Sequence, residues 1–250
     1  VSSPEKLYGI HSVRALLRRA PARVHRLWLA RARQDERMQL LESLAEQAGI
    51  SIERVDPARL QALVGDAVHQ GVIAEIEPLK PWREDDLYAA LGSARAPLLL
   101  ALDGVQDPHN LGACLRTADA CGVLALIIPK DRAASLNATA RKVAAGAAES
   151  TPVVAVTNLS RTLALLKEAG VWIAGADASA PKPASGVDLT GSCCLVLGAE
   201  GAGLRELTRR HCDWLVSLPS LGAVESLNVS VATGMLLYEA LRQRQGSPKR

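Results

Sequence analysis

Residues 195–204 read LVLGAEGAGL. An unbroken apolar run, the mark of a strand buried on both faces, gives way to Gly198, Gly201 and Gly203 and then to a helical pattern. In open α/β sheets ligands bind at such strand ends, and glycine lets a ligand come close to the backbone. A tight strand-to-helix turn accounts for this one stretch equally well. Two further stretches repeat the arrangement: residues 102–123, LDGVQDPHNLGACLRTADACGV, and residues 226–240, SLNVSVATGMLLYEA. Three such junctions in one domain point to a single composite site.

Outward from these junctions, short apolar runs recur at residues 98–102, 123–128, 153–156, 171–174, 195–197 and 214–218. Helical stretches lie between most of them, at 110–121, 158–169 and 203–210, and a last helix runs from about 226 to 244. Continuously apolar strands alternating with helices predict an α/β domain with a mostly parallel sheet over residues 98–250. Upstream, Val13, Leu16 and Leu17 share a helical face, residues 26–30 read as a strand, and Leu41, Leu44, Ala45 and Ala48 mark a helix ended by Gly49. Residues 50–55 alternate like a strand. Asp56 and Pro57 read as N-cap and first helical position ahead of Leu60, Leu63 and Val64, and residues 71–77 form another strand. Residues 1–78 thus read as a small α/β unit. Residues 79–97, with Pro81, Trp82, Asp85, Asp86 and Gly92, read as a linker with one short helix, and the final QGSPKR reads as a frayed basic tail.

The junctions constrain the ligand. A dinucleotide fold shows GxGxxG, whereas residues 198–203 run GxxGxG with Glu200 inside. Glu200 would repel a phosphate, which weakens NAD, FAD and ATP and with them a nucleotide-dependent oxidoreductase. S-adenosylmethionine carries a sulfonium and no phosphate, and fits better. In residues 107–118, Asp107-Pro108 signals a turn and Asn110 can cap the following helix. Arg116 follows on a helix otherwise built from Leu111, Cys114, Leu115 and Ala118. It is either an exposed or salt-bridged helical Arg, or one that holds an RNA phosphate or acts on an attacking hydroxyl. His109 reads as a turn or surface residue. Ser226 is a good N-cap, and with Asn228 it offers donors and acceptors at a helix start. The five His show no ligand spacing, so no metal site is expected, and neither a GxSxG elbow nor a Walker loop occurs.

Composition narrows the class. Of 250 residues 48% are hydrophobic, enough for real cores, yet no run reaches the roughly 20 apolar residues of a membrane span. The start, VSSPEKLYGIHSVR, shows no secretory h-region. Five cysteines without CxxC argue for reduced thiols and a cytoplasmic location, with Cys193 and Cys194 as core filler. Residues 1–40 hold nine Lys/Arg against three Asp/Glu, a net of +6 in a chain of net +3, so the remainder carries −3. A basic N-terminal unit points to a polyanion, although a solvated helix face accounts for the charge as well. With no Phe and 3% aromatics, base-stacking platforms of the RNP type are not expected.

The chain resembles the SPOUT-class RNA 2′-O-ribose methyltransferases of the SpoU/TrmH type. The likeness runs from Tyr8-Gly9-Ile10-His11 through His69-Gln70-Gly71-Val72-Ile73-Ala74 to Arg242, with the three junction motifs in order. Residues 69–74, PKDR at 129–132, Asn137-Ala138-Thr139-Ala140 and SLNVSVAT at 226–233 resemble the bacterial subgroup that methylates a guanosine ribose in 23S ribosomal RNA. The resemblance implies a deep trefoil knot near the C-terminus, which general chain-topology rules would exclude. It implies that the knot, made by the segments holding residues 198–203 and 219–228, binds S-adenosylmethionine largely through backbone groups. Gly198, Leu218 and Leu227 are then the main contacts, with Leu197, Ala199 and Gly201 beside them. Arg116, Asn110, Glu200, Ser226 and Asn228 form the implied catalytic set, with Arg116 acting on the partner subunit of a homodimer. The implied reaction is an in-line displacement by a ribose 2′-OH, which predicts no activity on DNA. The N-terminal unit resembles an L30e/L7Ae-like RNA-binding domain, which makes Arg14, Arg18, Arg19 and Arg23 candidates for RNA contact. The rivals are a sister enzyme acting on transfer RNA or another ribosomal site, and a non-catalytic ribosome-associated RNA-binding protein. Retention of Arg116 and Asn110 argues against the second.

Overall fold

The computed structural model describes residues 4–77, 81–222 and 226–246. The ends of the 79–97 linker reading and the basic-tail reading fall partly on residues outside this set. The chain divides into two units, Val1–Lys80 with Ala145–Ser150, and Pro81–Ala144 with Thr151–Arg250.

In the first unit, strands β1 (Glu5–Tyr8), β2 (Val24–Ala30), β3 (Ser51–Val55) and β4 (Val72–Ile76) form a sheet in the order β1-β4-β2-β3. Strands β2 and β3 are parallel, and β4 runs antiparallel to β1 and β2. Helices α1 (Ile10–Arg19) and α2 (Glu36–Gln47) cover one face and α3 (Pro57–Val64) the other. The two-residue period of β2 distributes its side chains. Leu27 and Leu29 pack with Val13, Leu16, Met38 and Leu41, while Trp28 and Ala30 pack with Val55 and Leu60. Asp35 caps α2 through the Arg37 and Met38 amides. Asp56 precedes Pro57 as expected but accepts no capping bond. Its carboxylate lies 3.7 Å from Arg31 instead. Strand β1, four residues with three exposed, carries too little periodicity to be read from sequence.

In the second unit, β5 (Leu98–Asp103), β6 (Ala125–Pro129), β7 (Val153–Val156), β8 (Trp172–Ala176), β9 (Cys193–Gly198) and β10 (Trp214–Val216) form a six-stranded sheet ordered β10-β8-β9-β5-β6-β7. Every pairing in it is parallel. All six residues of β5 are buried, as a central strand covered on both faces requires. Helices α5 (Pro108–Ala120), α6 (Ala138–Val143), α7 (Leu159–Glu168), α8 (Glu206–His211) and α9 (Val229–Gly246) lie between or after the strands. From β5 the chain moves on to β6 and β7, whereas β8 and β10 lie on the other side of β9. The switch point therefore falls between β5 and β9, whose ends Asp103 and Gly198 are register partners. The stretch read as a linker carries α4 (Glu84–Ser93), whose Leu87 is fully buried in the core beside Leu99, Ile127 and Leu163.

Candidate functional site

A cleft of about 670 Å³ opens at the carboxyl ends of β8, β9 and β10. All six residues expected to hold a cofactor line it: Leu197, Gly198, Ala199, Gly201, Leu218 and Leu227. Its floor is a tight ring. The Gly203 amide donates to the Ala199 carbonyl at 2.9 Å, and a Cβ on Gly198 would stand 2.0 Å from both C and O of Gly203. Only glycine fits there, because the obstacle is backbone. Gly201 and Gly203 face open space but adopt φ of +74° and +65°, so conformation rather than room selects them.

Glu200 rises from this ring and gathers the other two junctions. Its Oε1 accepts from Asn110 Nδ2 at 3.3 Å, from the Val229 amide at 3.4 Å and, in a shorter bond, from Asn228 Nδ2. Asn228 Nδ2 also donates to Asn110 Oδ1 at 3.0 Å. Two capping expectations change with this. Helix α5 starts at Pro108 with Asp107 as its cap, so the Asn110 side chain sits within the first turn and is free to reach Glu200. Helix α9 starts at Val229, and Asn228, not Ser226, accepts from the Ser230 amide at 2.9 Å. Ser226 is exposed and lines the cleft. Residues 223–225 of the 219–228 segment lie outside the described set.

Arg116 stands apart. It is exposed on α5, away from the buried row of Leu111, Cys114, Leu115 and Ala118, and it does not line this cleft. It has no hydrogen-bonding or ionic partner among the described residues. In the first unit, Arg14 and Arg18 sit on α1, Arg14 partly exposed and Arg18 exposed, with Arg14 Nη2 3.5 Å from His11 Nδ1. Arg19 is exposed as well. Arg23 differs: its guanidinium donates to the Glu77 carbonyl at 2.8 Å and pairs with buried Glu149 at 3.0 Å. That engagement ties the Arg23 guanidinium to its own unit.

Sequence reading missed two acids at strand ends. Asp103 is buried at the end of β5 and accepts the Arg205 amide at 2.9 Å. Asp177 follows β8, lines the cleft, and pairs with Arg209. The Ser179 hydroxyl, at 2.6 Å, holds the Asp177 carboxyl below its ordinary range. The signal was present in both cases: an acid closing an otherwise apolar run. Among the described residues no cluster of His, Cys, Asp and Glu could hold a metal, and no helix is long and apolar enough to cross a membrane.

Comparison with known proteins bears directly on this geometry. The profile of the SpoU rRNA Methylase family matches residues 97–238, the span that contains the cleft and the Asn110–Glu200–Asn228 cluster. The chain belongs to the SpoU rRNA methylase family. A second profile, RNA 2′-O ribose methyltransferase substrate binding, matches residues 6–82 of this SpoU chain. A 23S rRNA (guanosine-2′-O-)-methyltransferase RlmB from Pseudomonas aeruginosa is 56% identical over 98% of both chains. The enzyme of the same name from Escherichia coli K12 is 52% identical over 96% of this chain and 99% of its own. Among solved structures, the SpoU methyltransferase AviRb from Streptomyces viridochromogenes, in complex with the cofactor AdoMet, shares the fold. Its TM-score is 0.75 at 23% identity, covering 98% of this chain and 92% of its own. The A. aeolicus TrmH/SpoU tRNA modifying enzyme matches 65% of this chain and 82% of its own at 32% identity, with a TM-score of 0.56.

Proposed function

We propose that this SpoU methylase transfers a methyl group from S-adenosylmethionine to the ribose 2′-OH of a guanosine in 23S ribosomal RNA. The observation that carries the reading is the convergence of Leu197, Gly198, Ala199, Gly201, Leu218 and Leu227 on one cleft beside the Asn110–Glu200–Asn228 cluster. The names of relatives more than half identical over nearly their whole length support the 23S guanosine over a transfer RNA substrate.

The cleft fits S-adenosylmethionine. Its glycine ring presents bare backbone at Gly201 and Gly203, where nothing else of the chain stands within 4 Å of a Cβ position, and the acid in the ring, Glu200, disfavours a phosphate. When bound, the cofactor supplies an electrophilic methyl on a sulfonium, taken by the ribose oxygen with release of S-adenosylhomocysteine. The rest is positioning by the chain. Asn110 and Asn228 hold Glu200 Oε1, which fixes the ring's rim against the starts of α5 and α9. The exposed guanidinium of Arg116 serves to hold an RNA phosphate or to stabilise developing alkoxide charge.

The reading extends to a homodimer with a deep trefoil knot formed by residues 198–203 and 219–228. An exposed apolar stripe on α9 supports the dimer: Val231, Met235 and Tyr238, three residues at helical spacing, are each at least 41% exposed. Arg116 lies on α5, which packs directly against α9, and in this reading it reaches the cleft of a partner seated on that stripe. Residues 1–78 act as an L30e-like RNA-binding unit, residues 79–97 join it to the methyltransferase domain of residues 98–250, and Arg14, Arg18 and Arg19 are the RNA contacts. A ribosomal RNA substrate goes with a cytoplasmic enzyme. The test is incubation with labelled cofactor and unmodified 23S ribosomal RNA, followed by mapping of the methylated ribose. A methyl on a base, or none on RNA, overturns the reading.

A further inference from the structure

Asp103 is the last residue of the all-buried strand β5, and its side chain is wholly shielded from solvent. A buried carboxylate is costly unless it is paired. Both partners of Asp103 come from one residue, Arg205. The Arg205 amide donates to Oδ2 at 2.9 Å, and the Arg205 guanidinium Nε lies 3.5 Å from Oδ1. Oδ1 itself has no hydrogen bond. The guanidinium is held in turn: it lies over Gly104, where a Cβ would stand 2.9 Å from Nη2, and Nη2 donates to the Arg132 carbonyl at 3.4 Å.

The place of these contacts in the chain gives them their meaning. The cleft-floor ring leaves the sheet at Gly198 and ends at Arg205, where α8 begins. Gly198 is the sheet register partner of Asp103. The exit, Arg205, is bound by the Asp103 side chain. One residue therefore fixes both ends of the ring that carries Glu200 and lines the cleft. We infer that Asp103 is a positioning residue for cofactor binding, with Arg205 as its counter-ion, and that it acts by setting the shape of residues 199–204.

This rests on the methyltransferase reading above. The test measures S-adenosylhomocysteine affinity by calorimetry, cofactor KM against kcat, and hydrogen exchange of the amides of residues 199–205. Wild type is compared with Asp103→Asn, Asp103→Ala, Arg205→Lys and Arg205→Ala. Loss of a charge-assisted acceptor predicts a Kd raised about tenfold in Asp103→Asn and about 100-fold in Asp103→Ala. The loss falls on KM rather than kcat, exchange accelerates within 199–205 but not in β5, and Arg205→Lys stays closer to wild type than Arg205→Ala. Asp103→Asn is isosteric and keeps the test open where Asp103→Ala fails to fold. A wild-type Kd in both Asp103 variants, or a loss confined to kcat, overturns the positioning role. A wild-type chain that binds no S-adenosylhomocysteine overturns the methyltransferase reading itself.

Discussion

The side-chain amide of Asn228 donates to the side-chain carbonyl of Asn110, 3.0 Å away across 118 residues of chain. The bond joins the first turn of α5 to the start of α9, and Glu200 lies between them as their shared acceptor. Each asparagine gives a hydrogen bond to a carboxylate, a type that contributes roughly 1.5–3 kcal/mol. Asn110→Ala and Asn228→Ala should therefore each lower kcat/KM by about 10- to 100-fold. Because both act on one carboxylate, the double variant should lose much less than the product of the two. Steady-state kinetics with saturating RNA measure this, and a fully multiplicative loss would show that the three side chains do not work as a unit.

Gly198 and Gly201 separate two reasons for glycine in the same ring. At Gly198 an added methyl meets the Gly203 peptide at 2.0 Å, and no side-chain adjustment relieves it. At Gly201 the space is open and only the positive φ of +74° resists, a strain of about 1 kcal/mol. Gly198→Ala should abolish cofactor binding in calorimetry while the remainder of the sheet still folds. Gly201→Ala should weaken binding about fivefold, on the order of 1 kcal/mol. Equal effects from the two substitutions would mean that the ring is not the cofactor's floor.

The sheet of the second unit was legible because its strands are buried on both faces, so LLLAL and CCLVL appear as unbroken apolar runs. The cleft was legible because glycines and polar residues interrupt those runs at one end of the sheet. Helix starts were less so. Asn110 and Ser226 both suit a cap, and only the observed partners show that Asp107 and Asn228 take those places. Pro81 and Gly92 made the stretch of α4 read as a linker with one short helix, although Leu87 is buried in the core and Tyr88 and Leu91 pack against it. Asp103 and Asp177 were passed over because an acid after a strand usually signals a loop, and its burial is set by Arg205 and Arg209, about 100 and 32 residues further along. Arg23 looked like any other residue of the basic segment, and its partner Glu149 lies 126 residues away.

Glu239 on α9 accepts from Arg242 at 2.8 Å and from Gln243 at 2.8 Å, and Gln243 in turn donates to the Val187 carbonyl at 3.1 Å. The Arg242 guanidinium, and after it the Gln243 amide, hold the Glu239 carboxyl down at about 2, against 4.5 for the free group. A depressed carboxyl stabilises the fold fully above the unfolded value and loses that contribution as pH falls towards the folded value. The melting-temperature difference between wild type and Glu239→Gln should therefore be constant from pH 7 to about 5, narrow below 4.5 and close near 2. A difference that widens as pH falls would contradict the assignment.

The thiols should be inert. Burial pushes Cys114 up to about 11 and Cys212 up to about 12, and it raises Cys121, Cys193 and Cys194 as well. Only the thiolate is nucleophilic, and raised values leave little of it at neutral pH. Treatment of the folded protein with iodoacetamide at pH 7.5 should leave methyl transfer intact and modify Cys121, which is only partly buried, ahead of Cys114 and Cys194. Rapid inactivation that tracks alkylation of Cys114 would require a thiolate in the working enzyme.

Arg116 lies outside its own chain's cleft, and subunit mixing tests where it acts. Arg116→Ala keeps the cleft intact, while Gly198→Ala keeps Arg116 but obstructs the cleft. In the proposed homodimer, each variant alone should be nearly inactive. In a mixed dimer, an Arg116 that acts across the interface restores one complete site: the intact cleft of the Arg116→Ala subunit meets the Arg116 of the Gly198→Ala subunit. With one of its two sites complete, the purified mixed dimer regains roughly half of wild-type activity, and an unfractionated random mixture, of which half is mixed dimer, roughly a quarter. If Arg116 acted on its own cleft, mixing would restore nothing, because one subunit would lack the guanidinium and the other the cleft. Co-expression of the two differently tagged chains, tandem purification of the mixed dimer and a methyl-transfer assay decide between these outcomes. An inactive mixed dimer of normal stability would return Arg116 to its own subunit and remove the reason for placing the partner on the Val231, Met235 and Tyr238 face.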